Sequence, residues 1–154
     1  MSKELLLPAF LLILNANLLA ADKPNFTGYW VIDKDNSQVG ERGFGFLPSE
    51  MAIIHDDNKL EIVQMMGESA DKLKLTLDGK ECKSEIMGRE RISTASWSQD
   101  RKSITIASKM AFGRGEMTSD LNLKLTRDTV LVMDYASKSP FGDRKAILVF
   151  TRVD

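Results

Sequence analysis

Short runs of alternating apolar and polar residues, separated by turn residues, constrain the fold of this chain more than any other feature. Alternation with a period of two predicts half-buried β-strands. Asp78-Gly79 is a strong two-residue hairpin signal, and Asp56-Asp57-Asn58 is typical of a turn between strands. The predicted strands, in chain order, are Phe26–Asp33, Met51–His55, Lys59–Met66, Lys72–Leu77, Cys82–Met87, Glu90–Trp97, Ser103–Met110, Met117–Thr126, Thr129–Ala136 and Arg144–Arg152.

About ten short strands with little helix lie in the range where an open sheet curls or closes. The sequence therefore predicts an all-β fold, a closed antiparallel barrel of about 8–10 strands. No linker or repeat of fixed period divides the chain, so one barrel domain is expected over residues 22–154.

Three predicted strands carry a face that is apolar at two positions and polar at the third. If these faces point inward, the barrel interior contains both dry and polar zones. Asp134 would then need a partner such as Arg89, Arg91 or Lys109, or the strand register would place Asp134 outside. The three sets are Leu60-Ile62-Gln64, Ile104-Ile106-Ser108 and Val130-Val132-Asp134.

The first residues are typical of a secretory signal. Leu5–Leu14 is an apolar core, and Ala20-Ala21 is suited to cleavage. Because this core is about half of the ~20 residues that a membrane-spanning helix needs, we expect no stable membrane insertion after cleavage. The sequence predicts a signal-peptide helix over residues 1–21 and a periplasmic or secreted mature protein.

Composition argues against several kinds of chemistry. The net charge of −1 leaves no basic surplus for nucleic acid. Cys82 is the only cysteine and is expected to be a small buried hydrophobe, and His55, the only histidine, is expected at a strand end entering a turn. One His and one Cys are too few for the usual zinc sites, and no catalytic constellation can be singled out in the sequence. We therefore expect no metal, no cofactor and no enzymatic activity.

Residues near the start and the end of the predicted barrel together form one sequence signature. Gly28-Tyr29-Trp30 lies on the first predicted strand and Arg152 on the last, and the segment Asn25–Ser37 resembles the start of small exported bacterial lipocalin-like (calycin-type) proteins. The resemblance implies that Trp30 lies across the bottom of the barrel, beside Gly28, with the Arg152 guanidinium stacked on it. That family is largely uncharacterised, so the resemblance implies ligand holding without a reaction. Further segments that resemble it are Met87-Gly88-Arg89-Glu90, Trp97 and Ser139-Pro140-Phe141-Gly142.

Fatty-acid-binding proteins and avidins open similarly but match less well. The first group carries a helix pair after its first strand, and Lys34–Ser49 has no helical period. The second group lines its site with several tryptophans, whereas this chain has only Trp30 and Trp97.

The long irregular segment Lys34–Ser49 is the main candidate for function. It is rich in glycine, yet it contains Phe44, Phe46 and Leu47. Long loops in compact domains are usually functional or disordered. Methionines are the other candidates, because they either line adaptable cavities or fill irregular gaps in a core. The predicted ligand-binding or lid residues are Phe44, Phe46, Leu47, Met65, Met110 and Met133.

Two functions remain open at this point. The first is a non-enzymatic carrier or sensor for a small, mostly apolar molecule, with the loop as a lid over the barrel mouth. The second is an envelope protein-binding or inhibitor module, in which the Gly40–Pro48 loop inserts Phe44 and Phe46 into a partner protein. The two functions differ in whether those two rings are covered by the barrel or exposed to solvent.

Overall fold

A computed structural model describes residues 23–154, which form ten β-strands in one antiparallel sheet. This confirms the predicted all-β barrel; the proposed signal peptide, residues 1–21, lies outside the described residues. Nowhere in residues 23–154 is there a helix that is long and apolar enough to cross a bilayer. The strands are β1 Gly28–Gln38, β2 Glu50–Asp56, β3 Lys59–Met66, β4 Ser69–Thr76, β5 Cys82–Ile86, β6 Arg89–Trp97, β7 Ser103–Phe112, β8 Gly115–Arg127, β9 Val130–Ser139 and β10 Gly142–Val153.

The strands follow one another around the barrel in the order β4-β3-β2-β1-β10-β9-β8-β7-β6-β5. The first and last strands pair with each other, with Trp30 opposite Arg152. Among the described strands, no backbone ladder joins β4 to β5. We call this interruption the seam. At one end of the seam, the Asp78–Ser96 bridge and a 3.0 Å hydrogen bond from Gly79 N to Ala95 O connect the two sides. The barrel is therefore nearly closed.

The connections divide the barrel into two ends. Residues 39–49 and the tight turns at 67–68, 87–88, 113–114 and 140–141 lie at what we call the open end. Residues 57–58, 77–81, 98–102 and 128–129 lie at the closed end, together with Phe26. Each hairpin returns to the same end because consecutive strands are antiparallel.

A solid apolar core fills the barrel from the closed end to about its middle. Alternate residues along each strand point inward, as the period of two requires. Their side chains have little or no exposed surface, so this part of the barrel holds no large cavity. The largest fully buried side chains are Trp30, Phe26, Phe150, Met51, Ile53, Leu60, Ile62, Ile104, Ile106, Leu123, Leu131 and Met133.

Trp30 and Arg152 meet at the closed end. The Arg152 guanidinium lies 4.8 Å from the Trp30 ring centroid, and Trp30 Nε1 donates a hydrogen bond to Phe26 O at 3.0 Å. A Cβ on Gly28 would lie 3.0 Å from Arg152 Nε and 3.3 Å from Trp30 Nε1. The glycine therefore leaves the space into which the indole and the guanidinium pack.

One strand boundary expected from the sequence needs correction, and the structure decides between the alternatives left open for Asp134. The first strand does not end near Asp33 but continues to Gln38, which pairs with Ile147 after an irregularity where Val149 N donates a 2.9 Å hydrogen bond to Ser37 Oγ. Val130, Val132 and Asp134 face outward on β9, so the Asp134 carboxylate is exposed to solvent and needs no interior partner. The inward residues of that strand are Leu131, Met133 and Tyr135.

Candidate functional site

A buried ion pair lies above the apolar core. Arg91 on β6 and Asp71 on β4 form two hydrogen bonds of 2.8 Å, and their side chains are only 8% and 4% exposed. Gln64 Nε2 donates to the same carboxylate at 2.8 Å, and Arg91 Nε donates to Ser84 Oγ at 3.0 Å. Bidentate pairing and these further bonds offset the cost of burying two charges.

This ion pair also crosses the seam. Arg91 extends from β6 past Ser84 on β5 to Asp71 on β4, and its Nη2 donates to Lys72 O at 3.3 Å. Side-chain bonds thus connect the two strands that the backbone ladder leaves unpaired. The sequence suggests Arg91 only as a partner for Asp134 and does not point to Asp71, because a lone Asp in a polar stretch gives no sign of burial.

A cavity of about 540 Å³ opens at the open end. We call it the mouth cavity. A smaller cavity of about 80 Å³ continues beneath it to the ion pair, and Phe46, Met66 and Met110 line both. The interior is therefore open in its upper part and filled below.

The mouth cavity is lined mainly by flexible and aromatic apolar side chains. Met side chains adapt to ligands of different shape, and aromatic rings supply large contact areas at low entropic cost. Such a lining suits an apolar ligand better than a polar one. The apolar lining residues are Phe46, Met66, Ile86, Met87, Met110, Phe112, Met117, Tyr135 and Phe141.

Three arginines also line the mouth cavity. Arg144 donates from Nη1 to Gly45 O at 2.6 Å and from Nη2 to Gly43 O, which fastens the loop to β10. Arg42 Nη2 donates to Phe141 O at 3.2 Å. The Arg89 guanidinium lies 5.3 Å from the Phe112 ring centroid, and its Nη1 donates to Ala111 O at 3.2 Å. All of these acceptors are neutral carbonyl groups.

The loop of residues 39–49 places its apolar side chains in different surroundings. Leu47 is only 3% exposed and belongs to the core, and Phe44 is half-buried against it, with Lys34 Nζ 5.5 Å from its ring centroid. Phe46 is 85% exposed at the rim of the mouth, and its backbone has a positive φ of 62°. One ring is thus covered by the barrel and the other is not.

The predicted ligand residues do not all meet. Phe46 and Met110 line the mouth cavity, and Met133 lies deeper, in the lining of the smaller cavity. Met65 contributes to neither cavity, because its neighbours Gln64 and Met66 take the inward positions of β3.

Several lining residues are not among the ligand residues predicted from the sequence. Met66, Met117 and Phe112 all follow the inward register of their strands, so extending the alternation to the strand ends would have found them. No sequence pattern identifies Arg42 and Arg144 as lining residues, because an arginine at the rim of a cavity has the same sequence context as an arginine exposed to solvent.

A second depression, about 520 Å³ in volume, lies on the outer face of β7 to β10. Asp120, Asn122 and Asp134 border it, and all three are on the solvent side of their strands. This groove is a shallow part of the outer surface, whereas the mouth cavity leads into the interior. We therefore take the mouth cavity as the candidate site.

His55 and Cys82 lie away from the mouth. His55 Nδ1 accepts a 3.4 Å hydrogen bond from Phe26 N at the closed end, and its ring lies 5.4 Å from that of Trp97. Burial lowers the pKa of His55 below its usual value. Cys82 is half-buried at the start of β5. In the part of the chain that the structure describes, no three His, Cys, Asp or Glu side chains group as a metal site would require.

Solved structures with the same barrel include proteins that bind lipids. A fatty acid transporter, REP1-NXSQ, is 14% identical over 83% of this chain and 96% of that chain, with a TM-score of 0.58. A zebrafish ileal bile acid-binding protein complexed with cholic acid is 13% identical over 83% and 98% of the two chains, with a TM-score of 0.56. Caenorhabditis elegans lipid binding protein 8 is 15% identical over 83% and 95%, with a TM-score of 0.57.

No family model matches the chain, and no curated protein matches it either. At identities of 13–15% the likeness to solved structures shows the fold alone. The shared feature is the antiparallel β-barrel itself. The helix pair expected of that group does not occur between β1 and β2 here, where residues 39–49 form turns.

Proposed function

We propose that this protein is a non-enzymatic binder, a carrier or sensor, of a small and mostly apolar ligand that it holds at the open end of the barrel. The observation that carries the proposal is the mouth cavity, about 540 Å³ in volume and lined mainly by Met, Phe and Ile side chains. Ligand pockets in proteins typically measure about 300–1,000 Å³ and are mostly apolar.

The filled lower barrel limits where the ligand sits. Below the buried ion pair, the interior is solid core, and only about 80 Å³ is free beside Asp71 and Arg91. A ligand in the mouth cavity contacts the rim and the upper strands. It does not extend to Trp30.

The fold neighbours support the same role. One is a fatty acid transporter and another is an ileal bile acid-binding protein complexed with cholic acid. Fatty acids and cholic acid, the compounds named for these two proteins, are both largely apolar. We extend to this chain only the general property of holding such a compound within the barrel.

We also propose that the protein is exported. A leader over residues 1–21 would place the mature barrel in the periplasm or outside the cell. N-terminal sequencing of the protein recovered from its host tests this step, and we expect the mature chain to begin near Asp22. Recovery of a chain that still begins at Met1 would contradict export by cleavage.

One observation favours a second function. The Phe46 ring is 85% exposed, as an anchor for another protein would be. In this alternative, the Gly40–Pro48 loop belongs to an envelope protein-binding or inhibitor module. Native mass spectrometry of the mature protein from its host separates the two, because a retained small molecule supports the binder and a stoichiometric protein partner supports the module.

Titration with the neutral apolar fluorophore N-phenyl-1-naphthylamine tests the proposed site directly. We expect saturable binding that Met117→Trp weakens, since the larger side chain fills the mouth cavity. Ile54→Trp is the matched control, because Ile54 is exposed on the outer face of β2. Equal probe binding by both variants, with the fold confirmed by circular dichroism, would exclude the mouth cavity as the site.

A further inference from the structure

The positive charge of the mouth cavity is not balanced within it. Arg42, Arg89 and Arg144 line the cavity, and no Asp or Glu does. Within residues 23–154, none of these three guanidinium groups has a carboxylate oxygen within 4.0 Å; the ion pairs there involve Lys72, Lys80, Lys83 and Arg91. The whole chain has a net charge of −1, so this excess is local.

The arginine inside the barrel is not available to a ligand. Arg91 uses Nη1 and Nη2 for Asp71, Nη2 also for Lys72 O, and Nε for Ser84 Oγ. A guanidinium has five N–H donors, and four bonds are already made. A ligand anion at this depth would also meet the Asp71 carboxylate and be repelled.

The arginines at the mouth differ in this respect. Their acceptors are backbone carbonyls, which leave the full positive charge uncompensated, and Arg144 Nε is shielded from solvent with no acceptor among the described residues. An anionic group at the mouth would gain charge-assisted hydrogen bonds there. Its apolar part would lie against Met110, Met117 and Ile86 below.

We infer that the ligand is an anionic amphiphile, bound with its apolar part inside the mouth cavity and its anionic head group at the rim, on the arginines. This inference rests on the proposed function and adds the ligand class and its orientation. Carboxylate, sulfate and phosphate head groups share the required chemistry, since guanidinium groups bind their oxygens alike.

Three amphiphiles with unbranched chains of twelve carbons and an anionic, a neutral or a cationic head group test the ligand class. Dodecanoate, dodecanol and dodecyltrimethylammonium are compared by displacement of N-phenyl-1-naphthylamine. We expect dodecanoate to bind about tenfold more tightly than dodecanol, which is the ratio expected of one charge-assisted contact, and the cation to bind most weakly. Dodecanol binding as tightly as dodecanoate would overturn the inference and leave the proposed function standing. If neither displaces the probe and the probe itself does not bind, the proposed function fails.

One double variant and one control variant test the role of the arginines at the rim. Arg89→Gln combined with Arg42→Gln is expected to lower dodecanoate affinity about tenfold and to leave dodecanol affinity within about twofold. Arg114→Gln is the matched control, because Arg114 is exposed on the neighbouring β7–β8 turn and does not line the cavity. An equal loss of dodecanoate affinity in the control would show a general charge effect and overturn the role of the rim.

The orientation is tested with dodecanoate carrying carbon-13 at the carboxyl or at the terminal methyl carbon. A neutral gadolinium chelate in solution broadens signals of solvent-accessible carbons. We expect stronger broadening of the bound carboxyl carbon than of the bound methyl carbon. The opposite order would place the head group inside and overturn the orientation.

Discussion

At the scale of single residues, Trp30 on β1 contacts both β10 and the segment before β1 at the closed end. Its ring is fully buried, contacts the Arg152 guanidinium, and donates a hydrogen bond to the backbone of Phe26. The glycine at position 28 leaves room for both side chains. The Arg152 contact joins β10 to β1, and the hydrogen bond to Phe26 holds the segment just before β1 against the indole.

Substitutions at this contact are expected to cost unequal amounts of stability. Trp30→Ala removes a large buried aromatic and should lower the free energy of unfolding by about 3–5 kcal/mol. Arg152→Ala should lower it by about 0.5–2 kcal/mol, through the lost cation–π contact and stem packing. Denaturant unfolding curves measure both. If neither variant changed the unfolding midpoint, the stacked arrangement would not stabilise the protein.

The Asp71–Arg91 pair is expected to behave as a coupled unit. Asp71→Leu alone leaves a buried guanidinium without its carboxylate, and Arg91→Met alone leaves a buried carboxylate, so each should cost about 3–5 kcal/mol. The double variant restores neutrality and should cost less than the sum of the two single losses. A double-mutant cycle from urea unfolding measures the coupling, and additive losses would contradict it.

His55 makes stability depend on pH in a defined direction. Its pKa is lowered, first by burial and also by the Lys23 charge, against opposing effects of Asp56 and Asp57. The unfolded chain therefore binds the proton more readily. The stability that neutral His55 contributes is fully present above about pH 6.5, its pKa in the unfolded chain. It is lost as the pH falls toward the lower pKa of the folded protein.

As the only histidine, His55 gives a single ring signal in NMR. We expect its midpoint to lie below about 6.5 in the folded protein. His55→Gln should remove the part of the stability decrease below about pH 6.5 that this group causes. A ring midpoint above the ordinary value would show that the sign of the effect is reversed.

At the scale of elements, the loop of residues 39–49 combines a fixed part with an exposed one. Arg144 holds the backbone of Gly43 and Gly45, and Leu47 is buried in the core. Phe46 stands at the rim between the mouth cavity and solvent. A loop held in this way can place one aromatic ring over a ligand without moving as a whole.

Replacing the two loop phenylalanines separately distinguishes their roles. Phe46→Ser should change the free energy of unfolding by no more than about 0.5 kcal/mol, as for other exposed positions, whereas Phe44→Ser should cost about 1–3 kcal/mol of lost burial. If Phe46 covers the ligand, its loss should weaken N-phenyl-1-naphthylamine binding or speed its exchange. Unchanged probe affinity and kinetics, together with the loss of a protein partner in a pull-down, would favour the alternative function.

At the scale of the whole molecule, the alternation of residues is sufficient to predict the barrel. Leu73, Leu75, Leu121 and Leu123 face inward as expected, because a strand with one buried face must place every second side chain in the core. The strand count follows from the turn residues. β9 is the exception, since both of its faces carry apolar residues and only the register with its neighbours places Asp134 outside.

The candidate site is less visible in the sequence than the barrel is. The loop with Phe46 could be identified because large apolar residues are unusual in a glycine-rich segment. The rim arginines and the buried ion pair could not be identified from the sequence, because they depend on side chains that only the folded barrel brings together. Arg91 and Asp71 are 20 positions apart, and Arg42 and Phe141 are 99 apart.

The seam has a consequence for how separate copies of the protein behave toward one another. β4 and β5 are edge strands, and unpaired strand edges are templates for pairing with another chain. Lys72, Lys74 and Lys83 are exposed on these two strands, and charged side chains of this kind oppose such association. Arg91 contributes from the inside by holding the edges together. Loss of the Asp71–Arg91 bond would leave both strand edges free of this side-chain connection, so we expect β4 and β5 to be the strands most open to pairing with a second copy.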